Sequence, residues 1–420
     1  MPASPTPVAT DPEALAGIYR DLHTHPELSF QEHRTAGVAA EALASFGYEV
    51  TTGVGRTGVV GVLRNGDGPT VLVRADMDAL PVAEDTGLPY ASTARGVDPA
   101  GADVAVMHAC GHDMHVTCVL GAAARLAEDR AGWSGTLVLV VQPAEELGQG
   151  ARAMLDDGLY DRVGRPDIVL GQHVGPLPAG VVGLHPGPAF AAYDALAVTL
   201  WGRGGHGSRP ETCVDPILMA AAVVQRLQGI VSREIAGTDT AVVTVGVIRG
   251  GTKVNIIPDV AELEISVRSF DAVVRDRVLA AIERIIHGEA SASGAPRPPE
   301  IVMTESFPLL LNDPAASERT AHGLAAALGA ARVVDPGPVT GSEDVGLFAT
   351  DAGVPCVYWI LGGADQAPFA GVTDAAGLAR VVESLPSNHS PRYAPVLEPT
   401  ISTGVAALVT AARTWLGSTA

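Results

Sequence analysis

Cysteine is scarce in this sequence. Four of the 420 residues are cysteines, and their spacing follows no regular pattern: Cys110, Cys118, Cys213 and Cys356. A secreted domain held together by disulfides would carry more cysteines at closer, more regular spacing. The sequence therefore predicts free thiols and a reducing compartment, the cytoplasm.

Basic residues and long apolar runs are also few. There are 27 Lys and Arg against 47 Asp and Glu, which gives a formal net charge of −20. This balance argues against nucleic acid or an anionic membrane surface as a partner. Apolar runs stay well short of the ~20 residues that span a bilayer, and residues 1–10 lack the basic and apolar regions of a secretory signal. We therefore expect a soluble protein.

The residues that are plentiful predict large folded domains. The chain is 47% hydrophobic and only 18% charged, a composition that excludes a disordered protein. Its length suits two or more domains at about 150 residues each.

The densest group of chemically useful side chains lies in residues 107–115. It contains Cys110 and His112, flanked by His108 and His115, with Asp113 beside them. Thiolate and imidazole suit zinc, cobalt, nickel, iron or manganese. An apolar run at 116–126 predicts a helix that starts here, and its dipole would favour the thiolate. The alternative is an ordinary helix start with polar caps and one buried thiol.

Two apolar runs precede this cluster and predict strands. Val59–Leu63 and Thr70–Ala75 are separated by Asn65-Gly66-Asp67-Gly68, which predicts a hairpin. Asp78 follows the second strand and is a candidate to orient a ligand histidine. The alternative for Asp78 is a solvated turn.

Further candidates follow two later strands. Thr136–Val141 leads into Glu145 and Glu146, and Asp167–Leu170 leads into His173 at the expected end of its strand. Open α/β sheets place their sites at the carboxyl ends of strands. One glutamate can bind metal while its neighbour acts as a base toward water, unless the pair is merely exposed on a loop.

Residues 186–303 change in character. Strand and helix patterns follow the order β-α-β-β-α-β, which predicts an inserted ferredoxin-like domain. Within it, His206 is surrounded by glycines and could donate to an oxyanion, or lie on a flexible loop. After the insertion, His389 lies in a loop that could close on the same edge of the sheet or remain a plain surface residue.

The candidate ligands are more than one ion needs. Four-coordinate zinc cannot take five protein ligands, and the candidates are Cys110, His112, Glu146, His173 and His389. Two ions about 3.5–4 Å apart that share one ligand would accommodate them. Cys110 is the candidate for the shared position.

The chain resembles a known family. Its motifs are similar to those of metal-dependent aminoacylases, including hippurate hydrolases and plant auxin-conjugate amidohydrolases, which are related to carboxypeptidase G and acetylornithine deacetylases. The resemblance covers nearly the whole chain and is carried by residues 22–27, 74–81, 107–113, 142–146, 204–208 and 388–391.

The resemblance implies an α/β fold with a zinc-peptidase-like catalytic domain around a mixed central sheet. This discontinuous domain would comprise residues 1–185 and 304–420, and residues 186–303 would form an α+β lid through which a homodimer assembles. Two divalent ions, of zinc, manganese, cobalt or nickel, would be bound by the five candidate ligands.

Individual roles are also implied by the resemblance. Glu145 would be the general base, His206 would stabilise the oxyanion in its own or the partner subunit, and Asn255 would hold the substrate carboxylate. Asp78 and Asp113 would support the ligands without binding metal, as would His108 and His115. More distant relatives have a metal-binding histidine where this chain has Asp76, so the ligand set follows the branch with cysteine.

The function that the resemblance implies is hydrolysis of small N-acyl-L-amino acids to a carboxylic acid and a free amino acid. A dipeptidase or carboxypeptidase of the same clan is the alternative within enzymes. A non-catalytic metal-binding or peptide-binding protein is the alternative of another class.

Overall fold

The computed structural model describes residues 11–418, and at Ala375 the backbone alone. The Pro-rich segment at residues 1–10 lies outside the described residues. The chain divides into two compact units. The first comprises Met1–Gly187, Leu311–Gly337 and Asp344–Ala420, and the second comprises Pro188–Leu310 and Pro338–Glu343. The second unit extends past residue 303 because its last long strand runs to Phe307.

A mixed eight-stranded sheet forms the centre of the described first unit. Its strands, from edge to edge, are Glu49–Val54, Gly58–Asn65, Gly135–Gln142, Thr70–Asp76, Ile168–Pro178, Cys356–Ala364, Val182–Gly183 and Val333–Val334. The strands from Gly135–Gln142 to Cys356–Ala364 are parallel. Their carboxyl ends therefore meet at one edge of the sheet, where such folds place their sites.

Helices of the described first unit cover this sheet or lie beside it. They are Pro12–Thr24, His33–Ser45, His112–Glu128, Gly150–Asp156, Leu159–Val163, Pro314–Leu328, Gly346–Ala352, Ala375–Ser384 and Thr400–Trp415. Short 3₁₀ turns lie at Arg130–Gly132, Glu145–Leu147, Ala330–Arg332 and Ala367–Phe369, and a small hairpin pairs Arg95–Val97 with Asp103–Ala105. The strand Thr70–Asp76 is buried from Val71 onward, as expected for a strand covered on both faces.

The predicted hairpin between the strands Gly58–Asn65 and Thr70–Asp76 is wrong. The strand Gly135–Gln142 lies between them, antiparallel to the first and parallel to the second. The connection crosses the start of this inserted strand so closely that a Cβ on Gly135 would lie 2.3 Å from the carbonyl oxygen of Pro69. The strand Gly58–Asn65 instead forms its hairpin with Glu49–Val54.

The second unit has the predicted β-α-β-β-α-β order. Its elements are the strand Ala192–Trp201, the helix Pro216–Arg233, the strands Ala241–Gly250 and Val260–Ser269, the helix Ala272–Ala292 and the strand Glu300–Phe307. Alternate residues of Ala192–Trp201 are buried, so one face of the antiparallel sheet packs on the two helices. The remaining short elements are Gly187–Phe190, Gly205–His206, Pro210–Thr212, Ile256–Ile257 and Leu310–Asn312.

Across the described residues, every helix is too short or too polar to cross a membrane.

Candidate metal centre

Two groups of donor atoms in the first unit share the thiol of Cys110. One consists of Cys110, His112 and His173, and the other of Cys110, Glu146 and His389, with the donor atoms of each group within 4.8 Å of one another. The structure thus brings together all five ligands that the sequence predicts. A further group, made of His112, Glu145 and Glu146, overlaps both.

Cys110 and His112 are positioned by the start of a helix. The helix His112–Glu128 begins after Gly111, whose φ of 82° is left-handed. A Cβ on Gly111 would lie 2.4 Å from Cγ1 of Val174, so glycine is required between the two donors. The Cys-Gly-His sequence therefore allows the thiol and the imidazole to face the same space.

His112 is oriented by Asp78. Nδ1 of His112 donates to Oδ1 of Asp78 at 3.2 Å, which leaves the lone pair of Nε2 for a ligand. Within the described residues, Nε2 of His112 and Oε1 of Glu146 are buried and have no hydrogen-bond partner. These two atoms lie 3.8 Å apart. Buried polar atoms without partners are costly, and an imidazole nitrogen facing a carboxylate oxygen at this distance suits a divalent cation.

Asp78 also holds the turn that carries the two glutamates. Its carboxylate accepts from the backbone N–H of Glu145 at 3.1 Å and of Glu146 at 3.0 Å, and from the hydroxyl of Ser29 at 2.6 Å. Asp78 is 1% exposed, so the alternative of a solvated turn is excluded. One carboxylate thus links a candidate ligand, the candidate base and a second candidate ligand.

Glu145 and Glu146 lie in a single 3₁₀ turn after the strand Gly135–Gln142. Oε2 of Glu145 lies 3.9 Å from Nε2 of His112, and Oε2 of Glu146 lies 3.3 Å from Nε2 of His389. The side chains of the pair are 6% and 8% exposed. The alternative of an exposed loop pair is therefore excluded.

His173 contributes from within a strand. Its strand, Ile168–Pro178, continues past it in register with Cys356–Ala364, so the prediction that His173 ends a strand is wrong. Nδ1 of His173 donates to the carbonyl of Val174 at 2.8 Å. Nε2 lies 3.5 Å from Sγ of Cys110, close to the separation of about 3–4 Å that zinc bond lengths of about 2.0–2.3 Å imply for two ligands.

The loop that carries His389 is fastened beside Cys110. The backbone N–H of His389 donates to the carbonyl of Ala109 at 2.8 Å, and His389 adopts a left-handed φ of 71°. Nδ2 of Asn388 donates to the carbonyls of Cys110 and Val174, both at 3.2 Å. Sequence reasoning missed Asn388, although it directly precedes the predicted ligand.

The electrostatics of the pocket favour a cation. Burial, together with Glu146, Glu145 and Asp76, raises the pKa of Cys110 well above its usual value. Burial and the nearby carboxylates act against the thiolate, and the expected help from the helix dipole stays a prediction. Burial would lower the pKa of His112, but carboxylates, chiefly Asp76, raise it to about 10. These carboxylates thus favour a positive charge at Nε2, which a metal ion would supply in place of a proton.

His115 and Asp76 lie beneath the donors and are already engaged. Nδ1 of His115 donates to Asp76, and Nε2 accepts from the backbone N–H of Val174 at 2.7 Å. Asp76 also accepts from the guanidinium of Arg74 at 2.7 Å. Both ring nitrogens of His115 are thus used, which leaves it no lone pair for a metal. Asp76 is engaged by His115 and Arg74, and the expectation that it does not bind metal stays a prediction.

Asp113 and His108 occupy a neighbouring buried region. Asp113 accepts from Nδ1 of His23 at 2.7 Å, and Nε2 of the same imidazole lies 3.1 Å from Glu84. His108 is buried, and both its ring nitrogens lack partners within residues 11–418. Burial lowers the pKa of His108 to about 4. Asp113 thus contacts His23, and its expected support of the ligands stays a prediction.

The two remaining candidates belong to the second unit. His206 lies in a two-residue strand, and the N–H of Gly207 donates to the carbonyl of Asn255 at 2.8 Å. Nδ1 of His206 accepts from the N–H of Ser208 at 3.1 Å, so the ring proton is on Nε2. The exposed His206 therefore presents a donor, as an oxyanion role requires. The oxyanion role of His206 and the substrate-binding role of Asn255 stay predictions.

Glu32 is a buried residue of this region that sequence reasoning missed. It accepts from the backbone N–H of Ala144 at 2.9 Å, directly before the two glutamates. In the sequence it precedes the helix His33–Ser45 and looks like a helix-start residue. Its contact with a residue 112 positions away has no local signal.

The fold and the donor groups define a metal-dependent hydrolase with a site at the carboxyl ends of parallel strands. The chain belongs to peptidase family M20/M25/M40, whose model matches residues 72–381. The predicted family and α/β fold class are confirmed, and the chain is a metal-dependent amidohydrolase.

Individual relatives agree with this class. N-acetyl-L-cysteine deacetylase of Bacillus subtilis (strain 168) is 37% identical over 355 residues, which cover 82% of this chain and 80% of that protein. Hippurate hydrolase of Campylobacter jejuni is 42% identical over 278 residues, or 66% of this chain and 70% of that protein.

A solved structure supports two divalent ions. The Bacillus subtilis YXEP protein, described as a dinuclear metal-binding peptidase of the M20 family, matches with a TM-score of 0.75 and 30% identity. The match covers 96% of this chain and 98% of that one. Together with the donor groups around Cys110, it supports the predicted binding of two divalent ions.

Proposed function

We propose that this protein hydrolyses the amide bond of N-acyl-L-amino acids and depends on two divalent metal ions. The observation that carries the proposal is the pair of donor groups sharing Cys110, with a buried glutamate, Glu145, beside them. The deacetylase and hippurate hydrolase among the relatives act on acylated amino acids according to their names. Addition of water across the amide bond would yield a carboxylic acid and a free amino acid.

The proposed ligand assignment follows the donor groups. Cys110, His112 and His173 would hold one ion, and Cys110, Glu146 and His389 would hold the other. Thiolate and imidazole favour zinc, cobalt or nickel, and the single carboxylate of the second group also admits manganese. When bound, the ions would supply Lewis acidity toward water and the amide carbonyl.

The chemical work of the chain falls to Glu145 in this proposal. Its carboxylate takes a proton from the attacking water as the new C–O bond forms. It then returns that proton to the amide nitrogen as the C–N bond breaks, so that the amine leaves neutral. Nε2 of His112 lies 3.9 Å from Oε2 of Glu145, which sets the base directly beside a proposed ligand.

The second unit supplies the remaining proposed roles. Nε2–H of His206 would donate to the developing oxyanion, since Nδ1 accepts from Ser208. Asn255 would hold the substrate carboxylate. A homodimer through this lid and a cytoplasmic location remain predictions, the second resting on four cysteines that are all free thiols.

A substrate panel tests the proposal. Apoprotein is reconstituted separately with zinc, manganese, cobalt and nickel, and each form is offered N-acetyl- and N-benzoyl-L-amino acids. We expect turnover that requires added metal and prefers acylated amino acids. Absence of turnover with every metal and acyl group would contradict the proposal and favour a metal-binding protein.

Peptide hydrolysis is the second candidate because the YXEP protein is described as a peptidase. Unblocked dipeptides and C-terminally extended peptides complete the panel. A kcat/KM for unblocked peptides above that for every acylated amino acid would replace the proposed function with a peptidase activity.

A further inference from the structure

Left-handed backbone conformations concentrate around one buried carboxylate. Among the described residues, the non-glycine residues with positive φ are Phe30, Arg56, Ala144 and His389. Phe30 and Ala144 bond to Glu32, and Arg56 directly precedes Thr57, which also bonds to it. Glu32 is 0% exposed. Non-glycine residues rarely adopt this conformation, and it persists where surrounding contacts hold it.

The contacts of Glu32 account for this concentration. Oε1 accepts from the backbone N–H of Phe30 at 2.8 Å and of Ala144 at 2.9 Å. Oε2 accepts from the hydroxyl of Thr57 at 2.5 Å. The guanidinium carbon of Arg56 lies 4.1 Å from the centre of the Phe30 ring. Glu32 thus connects three segments that are distant in sequence.

One of these segments carries the proposed base. Three consecutive N–H groups are held by two carboxylates, with Ala144 bonded to Glu32 and with Glu145 and Glu146 bonded to Asp78. The carbonyl of Ala144 also accepts from the N–H of Gly150, the first residue of the next helix, at 3.1 Å. The peptide groups on both sides of Ala144 are therefore fixed.

We propose that Glu32 is a positioning residue that, together with Asp78, sets the backbone of residues 144–146 and hence the directions of the Glu145 and Glu146 side chains. A change in the left-handed φ of Ala144 would swing both carboxylates away from the donor cluster. The inference rests on the proposed roles of Glu145 and Glu146.

The energetics of Glu32 agree with a positioning role. Burial and the charge of Asp78 raise the pKa of Glu32 to about 7. Loss of the carboxylate would leave the backbone N–H groups of Phe30 and Ala144 without this acceptor. Ala144 directly precedes the proposed base.

Glu27 offers a matched control. Its carboxylate also accepts two backbone N–H groups and one threonine hydroxyl, those of Arg34 and Thr35 at 2.8–3.0 Å. It caps the helix His33–Ser45, and among the described residues its carboxylate bonds to Arg34 and Thr35 and not to residues 144–146. Each glutamate is replaced separately by Ala and by Asp. Glu32→Gln is added because the glutamine amide oxygen can still accept from the N–H groups of Phe30 and Ala144.

Three quantities are measured for each variant: the melting temperature, the affinity for each of two equivalents of cobalt, and kcat and KM. We expect Glu32→Ala to lower kcat and the affinity for one cobalt equivalent by about 10- to 100-fold, the usual cost of losing a residue that orients ligands. KM should change less, Glu32→Gln should recover most of the loss, and Glu27→Ala should lower only the melting temperature.

Equal effects of the Ala variants at both positions on kcat and cobalt affinity would overturn the inference. If Glu32→Ala does not fold, the Glu32→Asp and Glu27→Asp pair decides in the same way, because aspartate keeps the charge but is too short for all three contacts. The cobalt titration needs no substrate. It therefore still tests Glu32 if the wild-type protein hydrolyses no acylated amino acid and the proposed function fails.

Discussion

Oδ1 of Asp78 lies 3.2 Å from Nδ1 of His112. This contact places the other ring nitrogen of His112 opposite Glu146 at 3.8 Å. A carboxylate behind a histidine fixes its tautomer and raises its basicity as a ligand. The same carboxylate holds the backbone of Glu145 and Glu146, so one buried side chain organises both the proposed ligands and the proposed base.

Substitution of Asp78 should therefore weaken metal binding. We expect Asp78→Ala to reduce metal affinity by about 10- to 100-fold, measured by competition with a chelating indicator. The variant also removes the acceptor of the backbone N–H groups of Glu145 and Glu146. Each lost hydrogen bond should lower the free energy of unfolding by about 1–3 kcal/mol.

Asp194 provides the control for this substitution. It is a buried carboxylate of the second unit, paired with Arg275 at 2.6 Å. Asp194→Ala should lower stability and leave metal affinity unchanged. A fall in metal affinity of the same size in both variants would show that general destabilisation, and not the Asp78–His112 contact, is responsible.

Substitution of Cys110 should affect both ions, because both donor groups contain this thiol. Cys110→Ala should retain fewer than one ion per chain at metal concentrations that give two in the wild-type protein, as measured by elemental analysis after dialysis. Cys118→Ala is the matched control, since Cys118 is a buried cysteine of the helix that begins just after Cys110 and lies outside the donor groups. A Cys110→Ala protein that keeps two tightly bound ions would contradict the shared position.

His23 should make stability depend on pH. Burial lowers the pKa of His23, but hydrogen bonds to Asp113 and Glu84 outweigh this effect and raise it to about 10. The folded state then binds more protons than the unfolded state between pH about 6.5 and 10. The stabilisation by His23 is thus complete below pH about 6.5 and is lost as the pH rises through 10.

Urea unfolding of the wild-type protein and of His23→Gln measures this dependence. The stability difference between the two proteins should shrink steadily from pH 6.5 to 10. A difference that stays constant over this range would mean that His23 is neutral in the folded protein.

Local signals in the sequence point to some of the donors. The strand end expected at His173 is wrong, and His389 lies in a loop that carries no such signal. Cys110 and His112 occur next to the start of an apolar helix, and Glu145 follows a buried strand that ends at a proline. These signals depend on residues close in the chain, and the structure brings the predicted ligands together. The β-α-β-β-α-β order of the second unit is likewise read from local periodicity.

Contacts between distant segments are what the sequence leaves out. The false hairpin after Asn65 arose because local turn residues do not reveal that the strand Gly135–Gln142 inserts between its neighbours. The same limit hides the bond from Glu32 to Ala144 and the engagement of both nitrogens of His115. Only the packed sheet brings these groups together.

The most direct test of the account is a paired measurement on the wild-type protein and Glu145→Gln. Bound metal is counted, and kcat/KM is determined for the best N-acyl-L-amino acid of the panel. Because glutamine cannot accept a proton from water, we expect both proteins to hold two ions and the variant to lose about 10²- to 10⁴-fold in kcat/KM, the usual contribution of a general base. A metal-loaded Glu145→Gln protein with wild-type turnover would contradict the account.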